Sequence, residues 1–185
     1  MSLDHALLVS LQEKPSSGYE LARRFERSIG HFWPATHQQI YRVLARMEEA
    51  GWVISEIQAG ETAPDRKVFS VTESGHRVLA DWLTEPTEPE VVRSALMVKL
   101  RAAAFDDPSH LQPEVTRHLA QHQTMLAKYA VIAQRDFAGE LNQQQQLQHQ
   151  VLKFGLAYEQ LWIDWCSEAS ALLDTLPTTN FQEKP

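Results

Sequence analysis

Apolar residues recur every three or four positions from the start of the chain, and the breaks in that rhythm mark its elements. Leu3, Leu7, Leu8 and Leu11 share one side of a helix predicted over 3–13, which Lys14-Pro15-Ser16 ends. Ser17-Gly18-Tyr19-Glu20 is a Ser-x-x-Glu capping box opening a second helix, which carries Leu21, Ala22 and Phe25 and stops at Gly30. After Phe32-Trp33-Pro34, the Thr-x-x-Gln box Thr36-His37-Gln38-Gln39 opens a third helix, predicted to reach Glu49 or Ala50 before Gly51.

The period then changes to that of a strand. Trp52 to Ile57 and Lys67 to Val71 are rich in β-branched and aromatic residues. They flank Gln58 to Asp65, which contains Gly60 and Pro64, and the whole reads as a hairpin with a long tip. Thr72-Glu73-Ser74-Gly75 begins a fourth helix carrying Val78, Leu79, Trp82 and Leu83. Three helices, a hairpin wing and a fourth helix make a winged helix-turn-helix over residues 1–84, so the fold class is mainly α.

Glu85-Pro86-Thr87-Glu88-Pro89-Glu90 reads as a linker over 85–90. The all-helical region 91–176 follows, with helices expected at about 91–105, 111–137 and 143–176, broken at Asp106-Asp107-Pro108 and Gly139. Leu111, Val115, His118, His122, Met125, Tyr129 and Ile132 alternate spacings of four and three. So do Leu147, Val151, Phe154, Tyr158, Leu161 and Trp165. That is coiled-coil seam spacing, and two such faces exceed what one chain of this length covers. Residues 91–176 are therefore expected to form a dimerisation domain, with those six residues of the last helix at its centre. The tail 177–185 is expected to be disordered.

Composition refines this picture. With 43% apolar and 22% charged residues the chain is of globular type, and its single Cys, Cys166, permits no internal disulfide. No segment has the signature of a signal peptide or the length of a membrane span, so a cytoplasmic protein without membrane contact is expected. The net charge of -7 runs against nucleic-acid binding, but it is unevenly placed. Residues 14–46 hold six basic residues (Lys14, Arg23, Arg24, Arg27, Arg42 and Arg46) against Glu20 and Glu26, a local excess of +4.

The residues match a known pattern at this point. Ser17-Gly18-Tyr19-Glu20-Leu21, then Phe32-Trp33, then Gln39-Ile40-Tyr41-x-x-Leu44-x-x-Met47-Glu48-x-x-Gly51, then Thr72-Glu73-x-Gly75 resemble the SGYEL, FW, QIYxxLxxLExxG and TExG motifs of PadR-like transcriptional regulators. The helical second half, with Arg93 to Leu100 and the Trp-rich last helix, resembles their AphA-like subgroup with a long C-terminal dimerisation region. The resemblance implies a homodimer on a dyad-symmetric operator in duplex DNA, often a repressor released by a small aromatic effector. Met47 stands where Leu is usual, Arg42 where many relatives have Pro, and Glu61 and Asp65 make the wing tip acidic.

On a helical wheel of 36–50, Ile40, Val43, Leu44 and Met47 gather on one side. Gln38, Arg42, Ala45 and Glu49 lie opposite, with Gln39, Tyr41 and Arg46 on the flanks. In this fold the third helix enters the major groove, so Gln38 and Arg42 are expected to read base edges, Gln with adenine and Arg with guanine. Thr36, His37, Gln39, Tyr41 and Arg46 complete the DNA-facing set on that helix. Arg23, Arg24 and Arg27 are phosphate candidates on the second helix, as are Arg66 and Lys67 entering the wing's second strand. Trp33, Phe154, Tyr158 and Trp162 form a candidate effector pocket, against the simpler reading that they are core.

Glu114, His118 and His122 lie at i, i+4 and i+8, but no further ligand is close in sequence. They are read as polar seam residues, with no metal and no cofactor expected. Nucleophile elbow, phosphate loop and redox Cys pair are all missing from the sequence, so an enzyme is not expected. The competing function is a winged helix that binds protein without an operator. The basic charge concentrated on helices two and three favours DNA.

Overall fold

The computed structural model describes residues 3–59 and 65–177, and the chain falls into two compact units divided between Pro89 and Glu90. The wing-tip residues Gly60, Glu61 and Pro64, and the tail beyond Pro177, lie outside the described residues.

In the first unit the helices are α1 (Leu3–Glu13), α2 (Gly18–Glu26), α3 (His37–Glu49) and α4 (Glu73–Trp82), with strands β1 (Ser16–Ser17), β2 (Val53–Gln58) and β3 (Arg66–Val71). Both predicted capping boxes close. The Ser17 hydroxyl accepts from the Glu20 N–H at 3.3 Å, and the Thr36 hydroxyl accepts from the Gln39 N–H at 3.2 Å. Each box satisfies amide groups that the first helical turn leaves without partners, and so fixes where α2 and α3 begin. Their apolar stripes meet α1 in one core. Leu7, Leu8 and Leu11 pack with Leu21, Ala22 and Phe25 and with Ile40, Val43, Leu44 and Met47, and Val53 and Phe69 close it from the sheet.

The wing is an antiparallel pair with register from Val53↔Val71 to Gln58↔Arg66. The pattern of the sequence did not reveal β1, which adds a third strand beside β3 through Ser16↔Phe69 and Ser17↔Val68. Pro15 ends α1 and leaves the next residues extended, and a two-residue strand has no period to read.

The second unit contains α5 (Ala95–Ala102), α6 (Gln112–Asp136) and α7 (Gln143–Thr175), with short 3-10 turns at Ala103–Phe105 and Pro108–Leu111. The helix expected from Val91 starts only at Ala95. The Ser94 hydroxyl caps it by accepting from the Met97 N–H, and Val91 and Val92 ahead of it stay exposed. Leu96, Leu111, Val115, Cys166, Ala169 and Leu173 form the core of this unit. No helix among the described residues is long and apolar enough to cross a membrane.

The seam residues of α6 are spent inside the chain, since Leu111, Val115 and Tyr129 are buried. The face of α7 that meets α6 is not the one that carries Leu147, Val151, Phe154, Tyr158 and Leu161. It runs through His149, Gly155, Glu159, Trp162, Cys166 and Ser170: His149 stacks on Phe137, Tyr129 lies over Gly155, His122 Nδ1 meets Glu159 Oε2 at 2.5 Å, and Gln112 donates to Ser170. Glu114 pairs with Lys99 and Arg117, and His118 lies 3.7 Å from it.

Gly75 shows why the start of α4 is so constrained. A Cβ there would overlap the Trp52 carbonyl oxygen and press on the Val71 side chain at 2.8 Å, so only glycine lets α4 lie this close to the wing's base. Gly75→Ala should force that junction apart and cost about 1–3 kcal/mol, the usual range for overpacking. A urea unfolding midpoint unchanged from the unaltered protein would contradict this contact.

Candidate nucleic-acid interface

Because Ile40, Val43, Leu44 and Met47 are buried on one side of α3, the opposite side must face solvent. Gln38, Tyr41, Arg42 and Ala45 are exposed along it, and among the described residues no hydrogen bond or ion pair engages the Gln38 or Arg42 side chain. Their donors and acceptors are available to a partner. Tyr41 lies over the first turn of α2, where a Cβ on Gly18 would come within 2.5 Å of the ring's Cε1. This contact sets how closely α2 and α3 approach. An open groove of about 1170 Å³ separates α2, the outer side of α3 and strand β3; Lys14, Arg23, Arg27, Arg66 and Lys67 line it together with Tyr41. Positive charge from three elements thus converges beside the exposed side of α3, an arrangement suited to polyanion binding.

Several residues expected to face DNA are committed elsewhere. Arg24 turns inward: Nε donates to Ser10 Oγ, Nη1 to Ser16 Oγ, and Nη2 to the carbonyls of Ser10 and Lys14 at 2.6 and 2.8 Å. All its donor-bearing nitrogens are used in joining α2 to the end of α1 and to β1, so Arg24 leaves the set of phosphate candidates. Arg46 pairs with Asp4, a largely buried acid of α1, and holds α3 to that helix. Thr36 and Gln39 bond to each other in the capping box, the Gln39 Oε1 accepting from the Thr36 N–H at 2.8 Å. His37 Nε2 meets Glu26 Oε1 at 2.8 Å.

Arg23 is exposed and lies over the Tyr19 ring at 5.7 Å, a cation–π contact that leaves its outer edge free for solvent. Arg66 and Lys67 are half-exposed but paired, Arg66 with Glu20 at 3.0 Å and Lys67 with Glu48 at 2.7 Å. Hydrogen bonds from Ser17 and then the charge of Arg66 hold the Glu20 carboxyl below its ordinary range. Lys67 and then Ser55 do the same for Glu48. These acidic partners come from the first turn of α2 and the end of α3. Neither position stands out by sequence period, and each ion pair joins residues far apart in the chain.

Leu147, Val151, Phe154, Tyr158 and Leu161 share one face of α7 and are all exposed, Phe154 to 73%. Trp165 leaves this group, because it is partly buried against the second core and meets Trp162 edge-on at 5.5 Å. Trp162 is likewise no open platform. The His122 imidazole stacks on it at 4.9 Å with the rings only 6° from parallel. Trp33 is half-buried against the first core.

Comparison with known proteins bears on family and fold. Residues 7–81 match the model of the Transcriptional regulator PadR-like family, and residues 92–174 match that of Virulence activator alpha C-term. The "Probable transcriptional regulator Rv1176c" of Mycobacterium tuberculosis is 42% identical over 94% of this chain and 98% of its own. The structure of the Vibrio cholerae virulence activator AphA superposes with a TM-score of 0.77 at 29% identity, over 95% of this chain and all of the other. Bacillus subtilis PadR in complex with operator DNA has the same fold, with a TM-score of 0.81 at 24% identity over 93% of this chain and 99% of that one. The same PadR has also been solved in complex with p-coumaric acid.

The two adjacent arginines of α2 should therefore differ in stability effect. Arg24→Ala removes four hydrogen bonds that tie α2 to the end of α1 and to β1, and should cost about 2–3 kcal/mol, whereas Arg23→Ala should stay within about 0.5 kcal/mol. Urea denaturation of both variants decides this, and equal midpoints would overturn the structural role given to Arg24.

Proposed function

The chain belongs to the PadR-like family of transcriptional regulators, and we propose that it acts as a homodimer on a dyad-symmetric operator, with α3 of each copy in the major groove. The observation that carries this reading is the pair Gln38 and Arg42, exposed and, among the described residues, unengaged on the outer side of a helix whose inner side is locked into the core. Gln can pair with adenine and Arg with guanine, and the exposed Ala45 beside them lets the helix come close to the base edges. Arg23 and Arg27 border the same groove and, in this reading, supply phosphate contacts.

The exposed face of α7 supports the homodimer. Leu147, Val151, Phe154 and Leu161 are each half or more exposed, and burying such a row against its symmetry mate removes it from water. Two copies of α3 then meet major grooves about 34 Å apart, one helical turn. Repression is the favoured direction, since a roadblock needs only tight operator binding. The solved PadR complex with p-coumaric acid, together with the neighbouring rings of Phe154 and Tyr158 on this face, makes a planar phenolic acid held at the dimer face the favoured effector.

Genomic fragments enriched on the purified chain at a stated salt concentration should share a dyad-symmetric motif with half-sites about one turn apart. In sedimentation equilibrium the unaltered chain should be a dimer. Phe154→Glu/Leu161→Glu, which changes only exposed positions, should be a folded monomer that has lost most affinity for those fragments. Adding p-coumaric acid to the same binding assay should weaken the unaltered dimer's hold. A folded protein that enriches no fragment would sink the operator reading in favour of a protein partner, and a monomeric unaltered chain would sink the dimer.

A further inference from the structure

Each carboxylate that meets the wing divides its two oxygens between two tasks. Glu20 Oε2 accepts from the Ser17 N–H at 3.1 Å and the Ser17 hydroxyl at 2.8 Å, closing the capping box of α2, while its Oε1 accepts from Arg66 at 3.0 Å. Glu48 Oε1 accepts from the Ser55 hydroxyl on β2, while its Oε2 accepts from Lys67 at 2.7 Å. Capping and strand anchoring need one oxygen apiece. The second oxygen in each case meets one of the two basic residues at the start of β3, and these pairs line the same groove as Arg23 and Arg27.

We propose that Glu20 and Glu48 are electrostatic latches that hold the wing cations Arg66 and Lys67 back from phosphate until α3 is seated, and so restrain binding to non-cognate duplex. This rests on the DNA-binding reading above. Hydrogen bonds from Ser17 and Lys67 respectively keep both carboxyls below their ordinary range, so both are ionised at neutral pH. An exposed ion pair shifts an equilibrium only about 1.5- to 5-fold, so the latch is a bias and not a lock. On a random duplex, phosphate drifting past the wing competes poorly with a carboxylate already in place. On a cognate site, base contacts from α3 hold the same phosphates beside Arg66 and Lys67, and their high local concentration opens the latch. Glu20 and Glu48 then act as specificity-determining residues that touch neither base nor phosphate.

The division of oxygens supplies a clean test. Glutamine at either position keeps an oxygen for Ser17 or Ser55 and turns an amide toward the wing cation; Gln also serves in a capping box. Glu20→Gln, Glu48→Gln and the double variant are titrated against a random-sequence 30-base-pair duplex and a genomically enriched fragment, at several salt concentrations. Glu73→Gln, which removes the same charge from the exposed start of α4, is the control. The double variant should bind the random duplex roughly 3- to 20-fold more tightly, with a salt slope steeper by about 0.9 per cation freed. Affinity for the enriched fragment should rise less, so the ratio of the two falls. Unchanged or weaker random-duplex binding by the double variant overturns the latch, as does a Glu73→Gln effect equal to that of either single variant. If the unaltered chain binds neither duplex, the DNA-binding reading falls first and takes the latch with it.

Discussion

Everything this protein presents to a partner in its first unit depends on the burial of one stripe of α3. Ile40, Val43, Leu44 and Met47 interlock with α1 and α2, and a close-packed interior does not let a helix rotate about its axis. The orientation of Gln38 and Arg42 follows from that packing, as does the closeness of Tyr41 to the start of α2. The inward-turned Arg24 and the Asp4–Arg46 pair reinforce the same arrangement from its edges. Charge near the binding face is thus divided between groups that build the scaffold and groups left for a partner.

The second unit has a comparable division. One face of α7 is consumed by α6 through Glu159, Trp162 and Cys166, and an adjacent face stays apolar and exposed. A helix that is apolar on more than one side needs more than one neighbour. Within the chain α6 is the first of these, and a second copy is the natural candidate for the other.

The fold was largely legible in the sequence, because capping boxes and apolar periods are local signals. Ser17, Thr36 and Thr72 each cap the helix they announce. What was not legible depended on contacts between distant positions. Arg24 and Arg23 are alike as letters, and only the carbonyls at the end of α1 make one a scaffold residue. Trp165 and Trp162 fit the seam and pocket patterns but lie partly buried against the core of their own unit. The start of α5 was misplaced because Val91 and Val92 are apolar without being core, while Ser94 carries the cap. The partners of Arg66 and Lys67 lie 46 and 19 residues away, beyond any local pattern.

If the outer side of α3 reads base edges while α2 and the wing meet phosphate, Arg42 must distinguish one DNA sequence from another. Binding isotherms for Arg42→Ala on an enriched operator and on its scrambled counterpart, at matched salt, separate the two kinds of contact. Arg42→Ala should lose about 1–3 kcal/mol per half-site on the operator and relax the preference at one base pair, with little change on scrambled DNA. Equal losses on both DNAs would make Arg42 a phosphate contact. No loss on either would mean that another face of this unit enters the groove.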